Sequence, residues 1–253
     1  MSSGAEVAGW RVERLPSSPT TNGELAARAA AGAEPGLVVV TDHQTAGRGR
    51  LDRSWKTPPG VALTFSALVE PGVPDSRWPL LPLLAGVAVT EGVRRTAGVM
   101  ATLKWPNDVL VADRKLAGIL VERVSGNRPR AVVGIGINVH QRAEQLPVPG
   151  ATSLAIEGAD VGRKLLLESV LGELSGLLGA WRGAHGNAVV VLAPYRERCV
   201  TIGRQVEVHL PGHEHLVGLA TRIDDQGRLV VRTAEGERPV GAGDVVHVRT
   251  GSS

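Results

Sequence analysis

The chain has one cysteine in 253 residues, which excludes an intramolecular disulfide and fits a reducing compartment. That residue, Cys199, reads as a small buried hydrophobe. No apolar run reaches the roughly 20 residues needed to cross a bilayer. The nearest stretch, 79–93, contains Pro82 and leads into Arg94 and Arg95, so it reads as a buried helix. The N-terminus, MSSGAEVAGWRVERL, lacks a basic segment followed by an apolar one, so no secretory leader is expected. These absences point to a cytoplasmic protein with no membrane association. A concentrated basic face is missing too. The pI is near 9.5, but 28 Lys and Arg against 25 Asp and Glu leave a net charge of only +3, and the signs are interspersed. Salt-sensitive duplex binding needs more than that, so no DNA partner is expected. No repeat of period 20–50 is visible.

What remains is the composition of a globular protein, 43% hydrophobic and 21% charged. Leu37 to Val40 and Val61 to Leu68 read as strands, separated by a Gly- and Pro-rich loop at 47–60 that is long enough to expect a function. Residues 78–98 have helical spacing, with Trp78, Leu80, Leu83, Leu84, Val87 and Val93 recurring. From 102 to 139 the segments LKW, DVLVA, KLAGILVERV and AVVGIGINV read as strands. An amphipathic helix is expected over 163–182 and a second up to Cys199. Beyond Thr201, five short runs (204–210, 215–223, 228–233, 238–240, 244–249) alternate with turns such as DDQGR and suggest a small barrel or sandwich. About 50 residues is small for a free-standing domain, so docking on the larger part is expected. The boundary falls near 200, giving domains 1–200 and 201–253.

Four segments carry chemistry. TTNGE (20–24) has capping-box spacing between Thr21 and Glu24, the signature of a helix start, where exposed polar groups can also hold a ligand. HQTAGRGR (43–50) follows a strand, and Gly47 and Gly49 alternate with Arg48 and Arg50. Glycine permits close backbone approach and arginine forks onto phosphate, yet this is neither a Walker A loop nor GxGxxG, and a flexible basic surface loop has the same composition. Trp55, in the same loop, is hard to bury and is suited to stacking on a purine. KWPND (104–108) could supply oxygens to a nucleotide-borne magnesium ion through Asn107 and Asp108. In KLAGIL (115–120), Lys115 opens an apolar strand, either as an exposed hairpin lysine or with its ammonium at the edge of a buried surface. GIGINV (134–139) places Gly134 and Gly136 inside a strand, where a missing side chain marks close approach of a ligand or backbone. His209, His213 and His215 have metal-compatible spacing but read as solvated turn histidines, because no carboxylate or thiol pattern accompanies them.

In this order and spacing, GRGR (47–50), KWPND, KLAGIL and GIGINV, with Thr20-Thr21-Asn22 ahead of them, resemble the biotin protein ligases over about residues 12–249. The resemblance implies a mixed α/β catalytic domain of the class II synthetase type with a C-terminal SH3-like β-barrel. It implies ATP, Mg2+ and biotin as ligands, biotinyl-adenylate as the intermediate, and the biotin carboxyl carrier domain of an acetyl-CoA, acyl-CoA or pyruvate carboxylase as acceptor. By that resemblance Thr20, Thr21, Asn22, Gln44, Gly47, Arg48, Gly49, Arg50, Lys115 and Gly118 line the biotin site. Arg50, Arg53, Trp55, Asn107, Lys115 and Asn138 belong to the ATP or adenylate side. Lys115 and Arg50 are candidate catalytic residues together with Asp108, which serves either magnesium or the incoming carrier lysine. Leu51 and Asp52 depart from the more basic residues of some members. Larger members begin with a DNA-binding winged helix–turn–helix, for which the roughly 20 residues before TTN are too few, so no repressor role is expected. A lipoate or octanoate transferase, or a nucleic-acid-binding module, competes with this reading but leaves GRGR with KWPND, or Lys115, without a role.

Overall fold

Residue alternation along β3 (Leu37–Thr41) shows how the main sheet is built. Val38 and Val40 pack into the larger of two apolar clusters, Leu37 and Val39 into the smaller, and all five residues are buried because the sheet is covered on both faces. The computed structural model describes residues 5–50, 53–124, 128–146, 148–210 and 214–248. Leu51, Asp52 and His213 lie outside the described residues. Eight strands form the sheet in the order β1 (Ala5–Val7), β2 (Trp10–Leu15), β3, β4 (Ala62–Val69), β8 (Arg130–Asn138), β7 (Arg114–Val124), β6 (Asp108–Val111), β5 (Thr102–Lys104). Only β2 and β3 run parallel. The first two strands were not anticipated from sequence, although Trp10 and Val12 alternate with charged residues in β2.

Helix α1 (Thr21–Ala30) covers one face of the sheet, burying Leu25 and Ala29 against Leu37, Val39, Leu68 and Val132. The other face carries α2 (Leu81–Ala97), α3 (Arg163–Gly183) and α4 (Val189–Arg198). The expected helix over 78–98 is divided. Residues Asp75–Leu80 form a 3-10 turn containing Trp78 and Pro79, and the α-helix starts only at Leu81, with Pro82 in its first turn. A proline has no N–H to donate, so it is best accommodated at a helix start, where that N–H would have no helical partner. Gly98, at φ 66°, ends α2 in the left-handed conformation that favours glycine.

The C-terminal strands β9 (Gln205–His209), β10 (His215–Ile223), β11 (Leu229–Thr233), β12 (Gly236–Val240) and β13 (Asp244–His247) form a second, antiparallel sheet in the order β12-β11-β10-β9-β13. It docks on the first as expected for so short a segment. The Trp105 indole N–H donates to the Gly227 carbonyl (2.9 Å), the Trp105 backbone N–H to Thr201 Oγ1 (3.0 Å), and Val206, Val208 and Leu229 join the larger core. Among the described residues no helix is long and apolar enough to cross a membrane.

Candidate active site

The site occupies the α1 face of the sheet where glycines of β8 and β7 lie beside small polar residues of β4. Across β4, β8 and β7, Thr64 pairs with Gly136 and Gly136 with Gly118, while Ser66 pairs with Gly134 and Gly134 with Leu120. The intervening Phe65, Ile135 and Ile119 point into the core on the opposite face. A row of glycines therefore floors a cavity of about 1000 Å³. The glycines admit neighbouring side chains. A Cβ on Gly134 would collide with the Asn22 amide, and one on Gly136 would stand 2.6 Å from Trp55 Cε2. Trp55 is thus half-buried on the glycine floor, not left on the surface by its Gly- and Pro-rich surroundings. Its indole N–H is shielded from solvent and has no hydrogen-bond partner, an unsatisfied donor that a bound ligand could satisfy.

One wall is the start of α1. The expected capping box between Thr21 and Glu24 does not form. Thr20 is the N-cap without a side-chain bond, and Glu24 pairs with Arg28 (3.0 Å). Gln44 Oε1, from the loop after β3, instead accepts from the Thr21 backbone N–H (2.8 Å) and its hydroxyl (3.2 Å). A tertiary acceptor has displaced the local one. Ser66 Oγ bonds both Thr21 Oγ1 (2.7 Å) and Asn22 Oδ1 (2.6 Å), and the Asn22 amide nitrogen donates to Leu120 O (3.2 Å) and to Glu122 (2.6 Å). Asn22 therefore holds the floor together from its buried position.

The other wall is charged. The β6–β7 pairing shifts register between Val109 and Leu110, so that Leu110 opposes Lys115 while Val109 opposes Ala117. The extra residue, Leu116, packs into the core beside Ala117, and this bulge turns Lys115 to the cavity. Its ammonium lies 2.6 Å from Asp108 Oδ1. Arg50 Nη1 donates to Asn107 Oδ1 (3.2 Å), and the Asn107 amide nitrogen donates to the Ile119 carbonyl (2.8 Å). Arg53 pairs with Asp244 of β13, and Arg204 with Asp113 (2.8 Å). Burial pulls the Arg50 and Lys104 cations down from their ordinary values, against the opposing pull of Asp108 and Asp244. Among the described residues six cations (Arg48, Arg50, Arg53, Lys104, Lys115, Arg204) line the cavity against three carboxylates (Asp108, Asp113, Asp244), a balance that suits a polyphosphate.

All the residues expected from sequence line this cavity except Gly47. Gly47 supports from behind. Its carbonyl accepts from Trp55 N–H (2.8 Å), and a Cβ there would strike the Trp55 carbonyl. Asn138 reaches the cavity with its amide already engaged, donating to Thr152 O (2.9 Å) and accepting from Gln141 (2.8 Å). Among the cavity residues that sequence reading missed are Lys104, Arg204, Asp244 and His247. Lys104 opens KWPND and was legible there as a charge ending a short strand. The other three come from the C-terminal segment, and only its docking brings them in.

Comparison with known proteins agrees with this geometry. Residues 12–139 match the biotin/lipoate A/B protein ligase family and 201–248 the biotin protein ligase C-terminal domain. The chain is 42% identical to a biotin–[acetyl-CoA-carboxylase] ligase of Mycobacterium tuberculosis, over 95% of this chain and 91% of that one. It is 32% identical to the bifunctional ligase/repressor BirA of Escherichia coli, over 88% of this chain and 70% of that one. The biotin protein ligase from Aquifex aeolicus in complex with biotin and ATP superimposes with a TM-score of 0.78, at 28% identity, over 94% of this chain and 99% of that one. The chain belongs to the biotin/lipoate A/B protein ligase family, within its biotin protein ligases.

Proposed function

We propose that this protein activates biotin with MgATP and transfers the biotinyl group to a lysine of a biotin carboxyl carrier domain, in the cytoplasm. The observation that carries this reading is one cavity combining a glycine floor and an orphaned indole donor with a cation-rich end. In the first step a biotin carboxylate oxygen attacks the α-phosphorus of ATP, and the bond to the β-phosphate oxygen breaks, releasing pyrophosphate. In the second, the neutral amine of the carrier lysine attacks the acyl carbon, AMP leaves, and the amine loses a proton. Adenylation supplies the leaving group that a carboxylate lacks.

In this reading Thr20, Thr21, Gln44 and the backbone around Arg48 hold the ureido ring. With Gln44 Oε1 bonded to Thr21, its amide nitrogen is the group left for the ligand. Gly47, Gly49 and Gly118 let backbone approach closely, and Asn22 secures the floor. Lys115 bridges the biotin carboxylate and the α-phosphate, where its point charge meets charge developing on phosphoryl oxygens. Arg50 and Arg53 hold phosphate, and Trp55 and Asn138 with Asn107 shape the adenosine side. Each cavity carboxylate is paired with a cation, so a triphosphate that draws Lys115 away would free Asp108 for magnesium or for the acceptor lysine. Magnesium held there would neutralise charge on the transferring phosphates. We place the division between catalytic and C-terminal domains at 200/201, and the acceptor in an acetyl-CoA, acyl-CoA or pyruvate carboxylase.

Incubation with biotin and MgATP should yield biotinyl-adenylate and pyrophosphate, detected by mass spectrometry, and addition of a carrier domain should yield a biotinylated lysine with AMP. Calorimetric preference for lipoate over biotin, with no adenylate formed from biotin, would overturn the assignment.

A further inference from the structure

Away from the cavity, Glu207, His209 and His215 stand together on the outward face of the C-terminal sheet. Alternation along β9 sends Val206 and Val208 to the core and leaves Glu207 and His209 on the same outward side. Antiparallel pairing sets His215 of β10 directly opposite His209, and the two rings lie 4.5 Å apart between centroids. One oxygen, Glu207 Oε1, lies 2.9 Å from His215 Nδ1 and 3.0 Å from His209 Nε2. The first contact is a hydrogen bond. The second, at 3.0 Å, brings the same oxygen against His209 Nε2, which is shielded from solvent. Two ring nitrogens and a carboxylate oxygen, all within 4.8 Å of one another, converge on one point. Alternation along β9 adds Glu207, the carboxylate that the histidine spacing alone did not show, and strand pairing adds His215.

We propose that Glu207, His209 and His215 form a binding site for a divalent transition metal, with solvent in the remaining position. Imidazole nitrogens favour zinc, copper, nickel or cobalt over magnesium and calcium, which prefer oxygen. Val217 and Val246 flank Glu207 on the neighbouring strands, 60% and 43% exposed, and give the ligands an apolar rim that reduces competition from water. Asp244 opposes His209 from the other side, but its carboxylate is engaged by Arg53 and does not complete the set. None of the three ligands lines the nucleotide-sized cavity, so this site is separate from the catalytic one.

The test uses the full chain, freed of purification-tag histidines and stripped with a chelator, titrated calorimetrically with zinc chloride at neutral pH. One equivalent should bind, and Glu207→Gln and His215→Ala should each weaken binding at least about tenfold. His140→Asn should leave it unchanged. In the unmodified protein, zinc should shift the imidazole nitrogen resonances of His209 and His215 and leave that of His140 in place, a readout independent of whether a variant folds. Failure to bind one equivalent, or affinity in either ligand variant equal to that of the unmodified protein, overturns the proposal, as do unshifted His209 and His215 resonances.

Discussion

Lys115 reaches the cavity only because an extra residue interrupts β7, and its ammonium then sits on Asp108. In the proposed mechanism Lys115→Ala removes a cation aimed at developing phosphoryl charge, which typically costs on the order of 3 kcal/mol or more, a hundredfold or greater loss of rate. Adenylate formation should fall by that much with the circular dichroism spectrum unchanged. Lys115→Arg should rescue poorly, because a planar fork does not replace a point charge. Adenylation within a few-fold of the unmodified protein would remove Lys115 from the mechanism. Arg50 has a different part. It lines the cavity, bonded to Asn107 and with its charge partly desolvated, and in the proposed mechanism it retains the adenylate more than it binds biotin. Charge-assisted hydrogen bonds are worth roughly 1.5–3 kcal/mol. Arg50→Gly should therefore still form adenylate but release it about 10- to 100-fold faster. The escaped mixed anhydride should label bystander proteins such as serum albumin. Normal retention with labelling confined to the carrier would pass the clamp role to Arg53 or Arg48.

At the scale of elements, residues 48–50 and 53–55 of the segment 47–59 line the cavity beside the floor. Gly49 N–H bonds Arg53 O (2.6 Å), Arg53 N–H bonds Arg50 O (3.2 Å), Trp55 N–H bonds Gly47 O (2.8 Å), and Arg48 bridges Ser54. Backbone contacts of such short range, in a segment with Gly47, Gly49, Pro58 and Pro59, are of the kind that open locally. Hydrogen exchange of amides 53–57 should slow markedly when biotin and MgATP bind, whereas equal protection with and without ligand would deny that the loop closes on them. The strands and helices around this loop were legible because their alternation is set by burial on known faces. The helix start was not. Thr21 and Glu24 satisfy a local rule, but Gln44, 23 residues away, takes the amide the rule assigned to a neighbour. The motif segments disclosed the floor and the loop and lysine walls of the cavity because each contributes contiguous residues to it. Asp244 and His247 in β13, and Arg204 just before β9, escaped notice because nothing local marks them and they acquire their place only through docking of the second sheet.

Docking of that sheet also makes stability depend on pH through one residue. His247, at the end of β13, contacts Thr201 Oγ1 (3.1 Å) and Arg204 Nη1 (3.3 Å). Burial, with Lys104 and Arg204 close by and only Asp113 opposing, lowers its pKa from 6.5 to about 4. A histidine depressed in this way is neutral in the folded protein while the unfolded chain takes up a proton. Its contribution to stability is therefore fully present above about pH 6.5 and is lost progressively as pH falls toward 4. For a ring still in partial contact with solvent, the loss is on the order of 1–2 kcal/mol after allowing for screening. Because Trp105, Thr201 and the shared apolar core couple the two sheets, the loss should appear in a single cooperative unfolding transition. Urea denaturation at neutral and mildly acidic pH measures this, and His247→Gln, which keeps a polar group of similar reach without the titration, should reduce the difference between the two conditions by that amount. Carboxylates titrate in both proteins and cancel in the comparison. An unchanged pH dependence in His247→Gln would mean that the ring is protonated without cost in the folded state. Two separated transitions would mean that the sheets unfold independently.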